Sequence, residues 1–175
     1  MIAVGALAAE PTPLAPEKVI DICFAPSFAE AAAAAWKLGW DAMSSRQLAP
    51  YRIGLLVNVA GSARDQVPAD AEASDLVKAT GWRSPEAAGD SELVLVQSEY
   101  GMAAGLGCHL MESAKRPDLE SALVARLGAQ PLFRGKAGKV ASIFWNGEVA
   151  AVLLSYGGAV GNTSYLSISR KNPGK

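Results

Sequence analysis

Cys108 and His109 are neighbours in this chain, and their side chains have the types needed for nucleophilic chemistry. A histidine base beside a cysteine can generate the reactive thiolate. Residues 106–111 have the pattern of a strand, however, and consecutive strand residues point to opposite faces of a sheet. We therefore expect Cys108 to face the core and His109 to face away from it. Because the chain contains one histidine, no other imidazole can serve Cys108, which argues against thiol catalysis.

The two cysteines, Cys23 and Cys108, favour a structural interpretation instead. They allow a single intramolecular disulfide, which would close a loop of 85 residues. The chain-entropy model assigns about 4–5 kcal/mol of stabilisation to a bridge across a loop of that size. The alternative is a pair of buried free thiols that act as small hydrophobic side chains.

Other catalytic and cofactor patterns are weak. A Ser-His-Asp triad could recruit only His109, and the sequence contains no G-x-S-x-G motif. One histidine and two cysteines lack the spacing of a zinc site. The glycine-rich segments 101–107 and 135–139 lack the strand-to-helix context of a phosphate-binding loop. We therefore expect no metal and no cofactor. A carboxylate-based hydrolase remains an alternative, and it would need two of the 17 acidic residues to lie about 5–9.5 Å apart in one pocket.

Aromatic residues provide the candidate recognition surface. Trp82 follows a glycine in a polar segment, which makes it the best candidate for an exposed recognition residue, although the anchoring of a loop is the more common role for such a tryptophan. A cluster of Trp82, Tyr100 and Trp145 at one rim would form a binding platform. Trp145 flanks a tight turn, where cross-strand packing is the competing role. Trp36 is expected in the core.

The sequence pattern of the first half of the chain predicts mainly helices. Ser27 and Glu30 form a capping-box pattern before a run of alanines, which predicts a helix ending near Gly39. Residues 17–24 fit a strand and a helix equally well. Residues 52–59 are a candidate strand, residues 70–80 a short helix, and residues 82–90 a loop.

The sequence pattern of the second half predicts strands before and after one helix. Residues 93–100 and 106–111 form a hairpin, and a helix runs from Pro117 to Gly128. Asn146-Gly147 is a strong hairpin signal between residues 140–145 and 148–156, and residues 164–170 form the last strand. In that strand Leu166 and Ile168 face one way and two serines the other, so one sheet face is expected to be partly wet.

These elements predict an α+β fold, because tight hairpins imply an antiparallel sheet. We expect about five strands, ending in a C-terminal meander, with two or three helices packed on one face. Both sides of the hairpin of residues 140–156 are apolar, so its core-facing side stays open. The pattern indicates a central hairpin that is covered on both faces.

The N-terminus favours export. Residues 1–9 (MIAVGALAA) are apolar, and Ala6-Leu7-Ala8 matches the small-x-small pattern of signal peptidase sites, although a basic n-region is missing. The alternative is a frayed, alanine-rich terminus of a cytosolic protein. We interpret residues 1–9 as the remnant of an export signal, 10–16 as a proline-rich lead-in, 17–170 as one globular domain and 171–175 as a basic tail.

The amino-acid composition limits the classes of function that are open to the chain. Half of the 175 residues are hydrophobic, 19% are charged and the net charge is −1, which favours a packed domain and argues against a nucleic-acid partner. No segment has the length of a membrane span. We predict a periplasmic or secreted, non-enzymatic domain that binds a protein or small ligand, with partner and oligomeric state left open. The alternatives are a carboxylate-based hydrolase of the cell envelope and a subunit of an envelope assembly.

Overall fold

The computed structural model describes residues 14–85, 90–100, 105–157 and 163–170. The predicted export remnant, most of the lead-in, residues 86–89 of the predicted loop, the glycine-containing segments 101–104 and 158–162, and the basic tail lie outside these residues. The helices are α1 (Pro16–Cys23), α2 (Phe28–Trp36), α3 (Ser45–Ser62), α4 (Ala73–Leu76) and α5 (Pro117–Leu127). The strands are β1 (Asp41–Ala42), β2 (Lys78–Arg83), β3 (Ser91–Ser98), β4 (Gly105–Glu112), β5 (Phe133–Ala137), β6 (Val140–Asn146), β7 (Ala150–Tyr156) and β8 (Ser164–Arg170).

The eight strands form one antiparallel sheet with the order β1-β2-β3-β4-β8-β7-β6-β5. The predicted α+β class and antiparallel sheet are confirmed. The sheet contains more strands than the five expected, because β1, β2 and β5 carry no clear alternating pattern. In β5 the segment FRGKA is almost wholly exposed, as is typical of a charged edge strand.

Helices α1, α2 and α5 cover the first face of the sheet. The buried cluster there contains Leu119 and Leu123 of α5, Val19 of α1, and the inward side chains of β3, β4, β6, β7 and β8. Helix α2 buries Ala31 and Ala35, whose small side chains allow close approach. The bulky Trp36 is displaced from this contact and is 67% exposed, so its predicted place in the core is wrong.

Helix α3 lies on the second face and corrects the candidate strand of residues 52–59. Ser44 and Gln47 form a complete capping box at its start, which is a local signal for the beginning of a helix. Leu48, Tyr51 and Leu55 then follow at helical spacing and pack on Val94 and Val96 of the sheet. Because α3 also carries exposed apolar residues on its outer side, its sequence shows little amphipathic periodicity.

The segment after α3 also differs from the prediction. The helix expected over residues 70–80 is reduced to α4, and β2 includes the beginning of the predicted loop 82–90. Pairing with β3 explains the strand, because all six residues of β2 have partners there. Gly81 allows α3 to approach, since a Cβ atom at this position would lie 2.8 Å from the Met43 sulfur and 3.1 Å from Leu48.

The remaining elements agree with the sequence. Ser27 caps α2, and the ambiguous residues 17–24 form α1. The β3–β4 pairing, the α5 helix and the C-terminal meander are also present. In the hairpin of residues 140–156 the side that carries Ile143, Ala150 and Val152 is buried, while Phe144 and Leu153 on the other side are half-buried. Both strands of the hairpin are interior strands of the sheet, but the prediction that the hairpin is covered on both faces is not confirmed.

Candidate functional site

The disulfide candidates meet in the centre of the fold. Cys23 ends α1 and Cys108 lies in the middle of β4, their Cα atoms are 5.3 Å apart, and their sulfurs are bonded. Both side chains are fully buried. The bridge therefore attaches the first helical layer to the sheet, and Cys108 offers no thiolate for catalysis.

Beyond α3, the second face of the sheet presents an uncharged surface, which we call the open face. In every strand from β4 to β8 the side chains that point away from the three-helix layer are neutral. Most of them are half-buried or exposed. The open face consists of Gly107, His109, Met111, Phe133, Gly135, Ser142, Phe144, Ala151, Leu153, Ser155, Tyr165, Ser167 and Ser169.

A pocket of about 370 Å³ lies where the open face meets α3. We call it the α3 groove. Helix α3 supplies one wall, and the floor is formed mainly by β4. The lining residues are Pro50, Tyr51, Gly54, Leu55, Asn58, Val96, Gly105, Leu106, Gly107, His109, Ser169 and Arg170. Its volume lies within the range of about 300–1,000 Å³ that is usual for small-molecule sites.

His109 is the most distinctive side chain of the groove. Its Nδ1 atom lies 2.9 Å from the Tyr165 hydroxyl, and its ring centroid lies 5.9 Å from that of Tyr51. Burial lowers the pKa of His109 to about 4, because a charged imidazolium loses hydration there. The Nε2 atom faces the position where a Cβ of Gly107 would lie, 3.6 Å away. A neutral imidazole therefore offers one hydrogen-bonding nitrogen to the groove.

The Tyr51 side chain is held in place by a hydrogen bond to Glu92 of β3. Its hydroxyl donates to a Glu92 carboxylate oxygen at 3.4 Å, and Glu92 is also paired with Arg83. Burial is the main reason that the pKa of Tyr51 rises to about 12, and Glu92 adds to it. Arg170 lines the groove from β8, but its guanidinium donates to the Ala25 carbonyl on the three-helix side. Apart from Arg170, the described lining residues of the groove are uncharged.

The three predicted recognition aromatics are not brought together. Trp82 and Trp145 are 3% and 2% exposed, because both point into the core on the three-helix side. Tyr100 follows the end of β3 that is opposite to the end paired with Trp82. The predicted platform is therefore wrong for the two tryptophans, and Tyr100 stands apart, half-buried, with its backbone N–H bonded to the Ser98 hydroxyl.

Two carboxylates do come together elsewhere, around Arg116. This arginine donates to Glu112 at 2.8 Å and to Asp118 at 2.7 Å, and Glu112 also accepts from Ser91 at 2.6 Å. The guanidinium further donates to the Leu14 carbonyl at 2.7 Å. Because these groups satisfy one another, the cluster has the character of a structural ion network that fastens α5 and the N-terminal segment to the sheet.

The described residues contain no group of three or more histidine, cysteine, aspartate or glutamate side chains that could hold a metal ion. Across the same ranges of the chain, no helix is long and apolar enough to cross a membrane. Comparison with protein-family models, with curated proteins and with solved structures finds no match to this chain.

The α3 groove could not be predicted from the sequence, because it requires α3 to be placed on the second face of the sheet. The one local sequence feature that points towards the groove is the Ser44–Gln47 capping box, because it predicts the beginning of α3.

Proposed function

We propose that this protein is an exported, non-enzymatic binding domain that holds a small uncharged ligand in the α3 groove. The observation that carries the proposal is the groove itself, a pocket of about 370 Å³ that continues into an open face without charged side chains. Concave, mostly apolar pockets with a few convergent polar groups are typical ligand sites.

The chemistry of the lining supports a neutral ligand. A charged group would lose hydration in the groove and would find no opposite charge among the lining side chains that face it, which is unfavourable. A neutral ligand can pack on Leu55 and Val96 and place one polar group near His109 Nε2, the Asn58 amide or the Ser169 hydroxyl.

The disulfide supports export. Such bridges persist in oxidising compartments and are rare in the reducing cytosol. Together with the apolar residues 1–9, the bonded pair of Cys23 and Cys108 favours a periplasmic or secreted location.

Three probes of similar size test the ligand chemistry. Benzyl alcohol, benzoate and benzylamine are titrated separately into the ¹⁵N-labelled protein, and amide shifts are followed at Asn58, Gly107 and Ser169. We expect the neutral probe to shift these amides and to bind about tenfold or more tightly than either ion. Equal affinity for all three probes, or shifts confined to other surfaces, would contradict the proposal.

Export is tested separately by intact mass on protein that is expressed with its full upstream sequence. We expect an N-terminus shortened near Ala8, and thiols that resist alkylation until the protein is reduced. An intact N-terminus with two thiols that alkylate without reduction would contradict export. Because this test does not involve the groove, it leaves the ligand proposal to be judged by its own titration.

A further inference from the structure

A second pocket lies on the opposite side of α3, at the free edge of β2. Its volume is about 450 Å³, and we call it the β2-edge pocket. Strand β1 pairs only with Arg83 and Trp82, and the Met43 backbone N–H donates to the Gly81 carbonyl, so the first three residues of β2 have no neighbouring strand on that side among the described residues. The pocket fills this space between α2, α3 and the α4 segment.

Two cations and no carboxylate are found among the described lining residues. Arg52 comes from α3 and Lys78 from the start of β2, and the remaining surface is largely apolar, with Phe28, Leu56 and Val77. Within the described part of the chain, neither cation forms an ion pair. The nearby Asp75 carboxylate accepts instead from the Glu72 backbone N–H in the α4 cap.

The Arg52 guanidinium is poorly satisfied. Its Nη2 donates to the Ala79 carbonyl at 3.4 Å, a long and therefore weak hydrogen bond. Its Nε is buried and has no hydrogen-bond partner among the described residues. Leaving a buried donor of a charged group unpaired is unfavourable, so an acceptor brought by a ligand would recover hydrogen bonding that the protein does not provide.

From this arrangement we infer that the β2-edge pocket binds an amphipathic anion, a carboxylate attached to an apolar chain. The planar guanidinium presents parallel donors that match a carboxylate, and Lys78 adds a second positive charge. The apolar chain would lie against Phe28, Leu56 and Val77. The inference is independent of the α3 groove, because Arg52 and Leu56 lie one helical turn apart on the other side of α3.

Decanoate and decanol are the probes that test it, since they share the chain and differ in the charged head group. Each is titrated below its micelle or aggregation concentration, with amide shifts followed at Ser74, Val77 and Lys78. We expect decanoate to bind at these positions about tenfold or more tightly than decanol. Equal affinity of the two probes, or no shift at these amides, would overturn the inference.

Matched variants test whether the Arg52 guanidinium provides the positive charge that binds decanoate. Arg52→Met is expected to weaken decanoate binding about tenfold or more, whereas Arg46→Met makes the same substitution on the same helix outside the pocket and should leave affinity unchanged. Unchanged decanoate affinity in Arg52→Met would overturn the role of the guanidinium. Should Arg52→Met fail to fold, Lys78→Met provides a second variant, for which weaker decanoate binding is expected and unchanged binding counts against the site.

Discussion

The burial of neutral His109 predicts a specific loss of stability in acid. In the unfolded chain the histidine has a pKa near 6.5, and in the folded protein burial lowers the pKa to about 4. Between these values the unfolded state binds more protons, so protonation favours unfolding. The stability is fully present above pH 6.5 and is lost as the pH falls towards 4.

The size of the effect follows from the two pKa values. One pKa unit corresponds to about 1.36 kcal/mol, so His109 accounts for a loss of about 3 kcal/mol in the free energy of unfolding between pH 7 and pH 4. The groups that face or adjoin its ring from packed elements are Tyr51, Tyr165 and the ion pair of Glu92 with Arg83. Tyr51 stays neutral throughout this range, because burial raises its pKa to about 12.

The assay is urea denaturation at pH 7, 6, 5 and 4 for the wild type and for His109→Asn. Asparagine can still bond the Tyr165 hydroxyl but does not titrate, so this variant should lose about 3 kcal/mol less than the wild type over the same range. Carboxylates titrate equally in both proteins, and the comparison therefore isolates the imidazole. Ser167→Ala, at the position paired with His109 on β8, is the control and should follow the wild type.

Parallel pH curves for the wild type and His109→Asn, within about 0.5 kcal/mol, would contradict the predicted loss of stability in acid. They would mean that His109 is as well hydrated in the folded protein as in the unfolded chain. The description of the α3 groove as a site with a neutral, desolvated imidazole would then be wrong.

Three further substitutions test what holds the fold together. Cys23→Ala with Cys108→Ala should lower the free energy of unfolding by about 4–5 kcal/mol in non-reducing urea denaturation, and a loss below about 1 kcal/mol would contradict the bridge's stabilising role. Arg116→Met should cost about 3–5 kcal/mol because it leaves Glu112 buried without its cation, and an unchanged midpoint in the same assay would show that the network is dispensable. Gly128→Ala should lower stability by about 1 kcal/mol, since this residue ends α5 with φ +61°, and thermal denaturation that shows no change would argue against that helix end.

Local signals explain which elements could be predicted from the sequence. The Ser27–Glu30 capping box begins α2 without help from the rest of the fold, and Asn146-Gly147 closes the hairpin between β6 and β7. Strand alternation placed Cys108 inward and His109 outward correctly. These features depend on a few adjacent residues, so one sequence is enough to find them.

Features that depend on tertiary contacts were not accessible in the same way. Strand β2 exists because β3 pairs with it, although the segment contains Gly81 and begins with Lys78. Helix α3 is apolar on several sides, so periodicity did not show which side meets the sheet. The α3 groove combines α3 with β4 and β8, and no local pattern in the sequence reports that combination.

The α3 groove is tested as the binding site by the affinity of benzyl alcohol for three proteins: wild type, Gly54→Phe and Gly61→Phe. Both glycines lie in α3, and a Cβ atom at either position would have nothing within 4 Å. Only Gly54 lines the groove. We expect Gly54→Phe to fill the groove and to weaken binding about tenfold or more, and Gly61→Phe to bind as the wild type does. Equal affinity in all three proteins would contradict the claim that the α3 groove is the binding site.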